Sequence, residues 1–456
     1  MNAIHKPYKP DLPAASPAAL LLVLVLAVVG VVVAALPAAA TEVQRVRAGS
    51  VEAWLVEDHS NPLITVQIAF RGGAATDPAG KEGLARMAAG LLDEGAGDLD
   101  AQAFQRRLHE LAIELSFSAG LDTVSGEMQT LTENKDAAFD LLRLALRQPR
   151  FDPEPVGRVR DQLQATIRRQ SGNPSSVASL AFFSAMFPEH PYGRPVLGTV
   201  GSLDSIDAGD LRGFVDRTIA RDNLVIGVVG DITAAELAPL LGSTFGDLPA
   251  AAALSPVAAI APSGEGRIIV EQKPVPQSAM VFGQRGPQRN DPDFYAATVI
   301  NHLLGGGGFT SALYEEVREK RGLVYSVSTN LYPLDHAGLI VGSAASANER
   351  VAETVQVVRD EWRRMAEGTI AAERLEDAKM FLTGSFALRF TSSANIAGML
   401  VGMQLDNLGI DYLDRRNALI EAVTVEQVNR VARETLDPEA ITFAIAGRPQ
   451  GLAVAN

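Results

Sequence analysis

The chain has few histidines, and only one of them stands where a metal-binding motif could begin. His109 and Glu110 are adjacent, as in His-Glu-x-x-His, where two histidines one helical turn apart hold zinc and the glutamate acts as base. The fifth position of that motif is Ile113, so the second ligand is missing. Three further histidines have no partner four residues away: His59, His302 and His336. We therefore expect structural or surface roles for these residues and no metal bound by this chain.

Other catalytic and binding motifs are also missing. The chain has no cysteine, which excludes disulfides, thiolate metal sites and cysteine nucleophiles, and it has no Gly-x-Ser-x-Gly nucleophile elbow. A serine–histidine–aspartate triad is recognised by geometry, so the sequence alone leaves it open. The glycine run Gly305, Gly306, Gly307 and Gly308 lacks the Gly-Lys-Ser/Thr of a phosphate-binding loop. We expect it to let a helix begin close to neighbouring backbone.

Charge and composition restrict the class of protein further. The formal net charge is −14, and no basic stripe is present, which argues against a nucleic-acid partner. Hydrophobic residues make up 47% of the chain, a fraction typical of globular domains with sizeable cores. A length of 456 residues predicts more than one domain.

The first forty residues have the pattern of a targeting segment. Lys6 and Lys9 lie in a short polar stretch, and a nearly unbroken apolar run follows over residues 18–40. Small residues end this run before Thr41, as at a signal-peptidase site. We favour export with cleavage near Ala40 over an uncleaved membrane anchor, although the run is long enough to span a bilayer. Either alternative places the rest of the chain outside the cytoplasm.

The remainder of the chain repeats itself. Arg71-Gly72 and Asp77-Pro78 recur as Arg285-Gly286 and Asp291-Pro292, at a shift of 214, and each set lies between a strand-like and a helix-like run. Near the ends of the two copies, Gly230 is matched by Gly447 at a shift of 217, each after an alternating strand-like segment. The conserved order of these matches predicts a duplicated unit.

Mixed strand and helix patterns predict an α+β fold made of two homologous repeats. The predicted boundaries are 1–40 for the targeting segment, 41–247 for the first domain, 248–266 for a linker rich in Ala, Pro, Ser and Gly, and 267–456 for the second domain. Within the second domain, Phe309, Leu313 and Val317 are four apart, so we expect them on one face of a helix.

Three segments resemble the insulinase-like (M16) metallopeptidases, and the resemblance extends from about Val51 to Gly447. Residues 83–90 are similar to the zinc-binding helix, and residues 190–195, His-Pro-Tyr-Gly-Arg-Pro, to a turn of the N-terminal domain. Residues 305–327 are similar to the signature of the C-terminal domain, which is the most specific match. The resemblance implies two domains, each an antiparallel sheet with helices, that form one half of a clam shell.

In this family the zinc-binding helix carries His-x-x-Glu-His, but here the matching positions are Arg86, Ala89 and Gly90. A later helix supplies a third ligand, a glutamate, and the matching position is Thr166 or a neighbour within residues 163–170, where no carboxylate occurs. Two separate stretches therefore imply that this chain has neither the ligands nor the base of the zinc site.

The resemblance also implies a substrate-binding pair. The family uses an arginine and a tyrosine seven residues apart, on a helix end and the following strand, and Arg318 and Tyr325 match this pattern. Arg321 is an alternative arginine in the same turn. The glycine run beside them faces the substrate chamber in the family. Opposed to this is a structural interpretation, in which Arg318 forms an ordinary salt bridge and Tyr325 is half-buried.

These features predict the non-catalytic, substrate-binding subunit of a heterodimeric zinc endopeptidase that acts on unfolded peptides. Zinc and base would belong to a catalytic partner with an intact His-x-x-Glu-His motif, and this chain alone would be inactive. We expect a periplasmic location, or anchoring to the inner membrane facing the periplasm. The alternative is an inert scaffold or peptide-binding protein of the same fold.

Overall fold

A computed structural model of the chain describes residues 42–452, so the predicted targeting segment 1–40 lies outside the described residues. Within that range the strands are β1 (Gln44–Ala48), β2 (Val51–Glu57), β3 (Leu63–Arg71), β4 (Glu114–Ala119), β5 (Thr123–Leu131), β6 (Leu224–Gly230), β7 (Ile268–Gln272), β8 (Gln277–Arg285), β9 (Val324–Pro333), β10 (Gly338–Ala347) and β11 (Thr442–Gly447). In the part of the chain described, no helix is long and apolar enough to cross a membrane.

The α-helices of the first half are α1 (Leu84–Ala89), α2 (Ala101–Glu110), α3 (Lys135–Arg147), α4 (Pro153–Ser171), α5 (Pro174–Met186), α6 (Val200–Ser205), α7 (Ala208–Thr218) and α8 (Ala234–Phe245). Those of the second half are α9 (Phe294–Asn301), α10 (Val351–Glu367), α11 (Ala372–Gly384), α12 (Ser393–Leu405), α13 (Tyr412–Glu421) and α14 (Val425–Thr435). The helices of the second half are interrupted or extended by two π-helices, His302–Gly306 and Tyr314–Glu319, and by three 3-10 turns, Gly308–Thr310, Asn348–Arg350 and Ser385–Phe390.

The two halves contain sheets of the same topology. The first has the strand order β1-β2-β6-β3-β5-β4 and the second β7-β11-β8-β10-β9. Without β1 the two orders correspond strand for strand, and in each sheet only the pair at the corresponding end, β2–β6 and β7–β11, is parallel. This correspondence extends the sequence repeat to the whole fold of each half.

Burial explains why the central and edge strands differ in sequence. Strands β3 and β6 are nearly continuous apolar runs because helices cover both of their faces. Strands β4 and β5 alternate between buried and more exposed residues, as expected when one face of the sheet meets solvent.

Each half covers the sheet of the other half with one of its helices. Helix α5 of the first half packs on β8 and β11, and α12 of the second half packs on β3 and β6. The approach is close, because a Cβ atom on Gly283 of β8 would lie 3.1 Å from the Phe182 ring of α5. On the other side, a Cβ on Gly227 of β6 would lie 3.0 Å from Cβ of Leu400. Residues 43 onward accordingly form one compact unit.

The predicted linker, residues 248–266, contains neither helix nor strand and is held by both halves. The imidazole of His190 is hydrogen-bonded through Nε2 to the Ala258 carbonyl at 2.9 Å, and Ile260 N–H donates to the His336 carbonyl at 2.9 Å. Beside it, the Tyr192 hydroxyl donates to Asp122 at 2.7 Å. The Tyr192 hydroxyl also accepts from His336 N–H at 3.0 Å, so the His-Pro-Tyr-Gly segment joins the halves next to a cavity of about 670 Å³ that Asp122 and His336 line. The exact domain boundaries stay a prediction.

One sequence expectation about packing is wrong. Leu313 and Val317 are fully buried, but Phe309 is exposed and does not share their face. The reason is that Phe309 lies in a separate 3-10 turn, and the next helical segment starts only after Ser311 and widens into a π-helix. A period of 3.6 residues does not continue across such a break.

Candidate functional site

The arginine–tyrosine pair lies where the second π-helix leads into the edge strand β9. The guanidinium carbon of Arg318 lies 4.8 Å from the centre of the Tyr314 ring and 5.1 Å from the centre of the Tyr325 ring. Among residues 42–452, no carboxylate lies within ion-pair distance of Arg318. Its charge is therefore balanced only by ring faces, and its N–H donors remain available to a ligand.

Tyr325 is one of the most exposed aromatic residues in the described part of the chain. Its side chain is 82% exposed, on a strand whose outer edge has no partner strand within the described residues. Phe309, across the Tyr314 ring at 4.9 Å between centroids, is 74% exposed. A large exposed ring costs free energy in water, so an exposed group of rings around a cation is typical of a binding surface.

The alternative arginine, Arg321, is committed to a structural ion cluster. It donates to the carboxylate of Glu316 at 2.5 Å, and Lys320 contacts the same carboxylate at 2.6 Å. These hydrogen bonds from Arg321 and Lys320 lower the pKa of Glu316 to about 2, despite the opposing effect of its burial. Arg364 of α10 approaches the same carboxylate at 3.6 Å, which ties the π-helix to α10. Of the two arginines, Arg321 has a carboxylate partner, whereas Arg318 has none among the described residues.

The glycine run closes one helical segment and begins the next. Gly305 lies against β9, where a Cβ would be 2.6 Å from the Thr329 hydroxyl and 2.9 Å from its backbone nitrogen, so a larger residue cannot fit. Gly308 has a φ of +59°, a conformation that favours glycine. The close approach to backbone that we expected is present, but it occurs at the end of a helix as well as before one.

The helix that resembles the family's zinc-binding helix is short and firmly held. The carboxylate of Asp77 accepts from the backbone N–H groups of Gly83 and Ala85 at 2.9 Å each and fixes the start of α1. Along this helix Arg86 is partly exposed, whereas Ala89 is fully buried. Gly90 ends it, and a Cβ there would lie 3.8 Å from Val159 of α4, so the two helices are neighbours.

Helix α4 presents no carboxylate at the position matched to the third ligand. Thr166 is half-buried, and its hydroxyl donates to the Gln162 carbonyl at 2.9 Å within the same helix. Leu163 and Ile167, on either side of it, pack against the core of the first half. The four matched positions therefore do not form a zinc-binding donor set, because they provide the guanidinium of Arg86, the methyl group of Ala89, no side chain at Gly90 and the hydroxyl of Thr166. Within residues 42–452 no group of three or more metal-ligating side chains is close enough to hold a metal ion.

The structure leaves the histidines scattered. His59 is exposed and contacts Asp231 at 2.6 Å, a bond that raises its pKa. His109 is exposed on α2. His302 is buried in the first π-helix, and burial lowers its pKa, so its ring is neutral at pH 7 and stacks on Phe381 at 4.9 Å between centroids.

Comparison with known protein families agrees with this geometry. Residues 53–200 match the sequence model of Insulinase (Peptidase family M16), and residues 205–382 match that of the Peptidase M16 inactive domain. Together the two matches span well over half of the chain. The chain belongs to peptidase family M16.

Individual M16 relatives resemble it over nearly its whole length. The non-peptidase homolog YmxG of Helicobacter pylori is 24% identical over 415 residues, which covers 90% of this chain and 95% of the relative. The crystal structure of a peptidase M16 inactive domain from Pseudomonas fluorescens, 27% identical, superposes with a TM-score of 0.84 and covers 91% of this chain and 99% of that one. A chain of complex III from Candida albicans, 15% identical with a TM-score of 0.74 over 91% and 97%, shares the fold alone. The predicted family and the predicted α+β fold are confirmed, and the protein is an inactive M16-like protein.

Sequence analysis missed part of the candidate site. Tyr314 provides the second ring under Arg318, and Phe309 and Phe381 extend the exposed rings beyond the pair. An aromatic residue four positions before an arginine was the available signal for Tyr314, because that spacing brings two side chains together on a helix. No periodicity could indicate Phe381, since its contact with His302 joins separate helices.

Proposed function

We propose that this chain is the substrate-binding, non-catalytic subunit of a heterodimeric M16-type zinc endopeptidase that acts on unfolded peptides outside the cytoplasm. The observation that carries the proposal is the contrast between the two arginines of one turn. Arg321 is bound to Glu316, whereas Arg318 is supported by two tyrosine rings and keeps its donors free beside the exposed Tyr325. A purely structural arginine would be expected to find a carboxylate.

In the proposed enzyme this chain positions the substrate. The guanidinium of Arg318 offers a rigid fork of N–H donors to a peptide carbonyl oxygen, and the Tyr325 hydroxyl can donate a further hydrogen bond. Because the rings of Tyr314 and Tyr325 hold the guanidinium, little side-chain freedom is lost on binding. A partner with His-x-x-Glu-His would supply the zinc, which polarises a carbonyl, and the glutamate base.

The extracytoplasmic location rests on the apolar run at residues 18–40 and on its small-residue end. The heterodimer rests on the family membership together with the lack of a zinc-binding donor set at Arg86, Ala89, Gly90 and Thr166.

A second candidate function is an inert scaffold or peptide-binding protein. The relative named a non-peptidase homolog favours it. This candidate accounts for the lost zinc ligands as well as the first does. It gives no reason for the free donors of Arg318.

The test is cleavage of a quenched fluorescent peptide library by this chain, by an M16 subunit with His-x-x-Glu-His encoded beside it, and by their mixture, with zinc measured in each. We expect activity only in the mixture and zinc only in the partner. In that mixture Arg318→Ala should lower kcat/KM by about 10²–10³-fold, the effect of losing one preorganised donor, and Tyr325→Phe should lower it by a smaller factor.

Assembly of each variant with the partner, measured by sedimentation, serves as the control, because Tyr325 is exposed and Arg318 is partly exposed, so neither substitution should affect folding. A mixture no faster than the partner alone would favour the scaffold. Wild-type rates for both variants would rule out the role of the pair.

A further inference from the structure

The two halves of the molecule contain equivalent helices whose exposed surfaces differ, because one is polar and the other is apolar at the same positions. Helix α4 has 19 residues, and its counterpart consists of α11, with 13 residues, continued by the 3-10 turn Ser385–Phe390, with 6. Both segments are followed by 13-residue helices, α5 and α12, which start 219 residues apart and are each capped by the side chain before them. The shift of 219 therefore aligns the two surfaces residue by residue.

At this shift three exposed polar positions become exposed apolar ones. Asp161, Gln162 and Arg169 of α4 are exposed to solvent. Their counterparts are Met380, Phe381 and Leu388, and these apolar side chains are 71%, 55% and 71% exposed. The fold does not require apolar residues at these positions, because the other half has the same helix without them. Their exposure in one half alone indicates a binding surface.

Direct contacts connect one of these residues, Phe381, to the arginine–tyrosine pair. Phe381 stacks on the ring of His302, and the His302 carbonyl accepts from Gly307 N–H at 2.8 Å. One residue beyond Gly307, the chain turns at Gly308 and presents Phe309, which contacts Tyr314 beneath Arg318. Phe381 is thus linked through His302 and the glycine run to Phe309. Met380 and Leu388 are exposed in the same helical segment as Phe381.

We propose that Met380, Phe381, Leu388, Phe309 and Tyr325 form one apolar track that selects extended peptides rich in apolar side chains. The inference rests on the proposed substrate-binding role and adds a substrate class to it. Arg318 would hold the peptide backbone, independent of sequence, and the apolar track would bind side chains. A peptide is favoured as the occupant because the track adjoins the guanidinium of Arg318, whose free N–H donors could bind a peptide backbone. A flat contact between subunits does not need such donors.

The decisive variant replaces three apolar residues of the track with the polar residues found at the equivalent positions of α4. It carries Met380→Asp, Phe381→Gln and Leu388→Arg, residues that the same fold tolerates at the equivalent positions. Leu180→Gln, which removes an exposed apolar side chain from α5 in the other half, is the matched control. Circular dichroism and tryptophan emission confirm that each full-length variant is folded.

Two fluorescein-labelled peptides of equal length and charge serve as probes, one with Phe and Leu at alternate positions and one with Ser and Thr there. Fluorescence anisotropy should show that the wild-type chain binds the apolar peptide at least about tenfold more tightly, the effect of burying one large apolar side chain. The triple variant should lose this preference, whereas Leu180→Gln should keep it. Arg318→Ala should weaken both peptides by similar factors and leave the preference intact.

The contrary outcomes are distinct. If the triple variant keeps the preference, the track is not a peptide site, although the proposed function stands as long as Arg318→Ala weakens binding. If the triple variant keeps the preference but loses assembly with the partner, or converts a wild-type dimer into a monomer, the surface is a subunit interface and the inference is wrong. If the wild-type chain binds neither peptide and the mixture does not cleave, both the proposed function and the inference fail.

Discussion

Two regions of the molecule, one in each half, treat their polar groups in opposite ways. In the first half, at the positions that resemble the zinc site, Ala89 is buried and the Thr166 hydroxyl bonds to its own helix. In the second half, Arg318 has ring faces but no carboxylate among the described residues, and Tyr325 is open to solvent. Side chains that have no catalytic role can form hydrogen bonds within their own helix. Side chains that bind a ligand keep their hydrogen-bond donors free, at some cost in folding stability.

That comparison assumes that the two halves fold as one unit. Substitutions at α5 and α12, the helices that pack on the sheet of the other half, can test this assumption. Phe182→Ala and Leu400→Ala each empty a fully buried site where a helix of one half meets the sheet of the other. We expect Phe182→Ala to lower the free energy of unfolding by about 3–5 kcal/mol and Leu400→Ala by about 2–5 kcal/mol.

The chain has 2 tryptophans, Trp54 in the first half and Trp362 in the second, so each half has its own reporter. Denaturant unfolding followed in a Trp54→Phe and in a Trp362→Phe background should give coincident transitions that shift together. If the unfolding transitions in the two backgrounds occur at different denaturant concentrations, the halves unfold independently and must be regarded as two separate domains.

The ion cluster that anchors the π-helix should show a specific pH dependence. Glu316→Gln removes the carboxylate that binds Arg321 and Lys320, and we expect a loss of about 1–3 kcal/mol at pH 7. The folded-state pKa of Glu316 is lowered from 4.5 to about 2, so its contribution is fully present above pH 4.5 and is lost as pH falls toward 2. Urea unfolding should therefore give less than half of this difference at about pH 3.

Glu353→Gln is the control for that measurement, because Glu353 forms only an exposed pair with Arg350. It should change the stability by less than about 0.5 kcal/mol at both pH values. An equal loss for Glu316→Gln at pH 7 and pH 3 would contradict the assigned role of the carboxylate.

The smallest effects should occur at the altered zinc positions. We expect Thr166→Ala to change the free energy of unfolding by less than about 0.5 kcal/mol, because its hydroxyl bonds only within its helix and to the side chain of Arg169. Arg86→Ala should leave cleavage by the mixture unchanged within about twofold. A tenfold loss of cleavage with Arg86→Ala would show that the first half still takes part in chemistry.

Much of the fold could be predicted because it depends on local pattern. The strand-like runs predicted before Arg71-Gly72 and before Gly230 correspond to β3 and β6. The duplicated glycines and aspartate-proline pairs indicated the repeat. The exchange of α5 and α12 could not be predicted, since either helix would have the same sequence pattern against its own sheet.

The site was harder to predict than the fold. The seven-residue spacing between Arg318 and Tyr325 favoured Arg318 over Arg321. It could not show which of the two arginines forms an ion pair, because both have glutamates nearby in sequence. The observed bond of Arg321 to Glu316 answers that question. Phe309 also lies outside the expected buried face, because it belongs to a separate 3-10 turn and the helical period does not continue across the break at Ser311.

The exchanged helices also constrain how such a molecule could have originated. A single repeat, alone in water, would leave the apolar sheet face now covered by α5 or α12 bare, and its own helix without a surface to pack on. In a dimer with a twofold axis, two identical copies could each have packed this helix on the sheet of the other copy. The segment from 248 to 266 would then be the later tether between subunits of a swapped homodimer, and the two sequences became free to diverge only after it joined them.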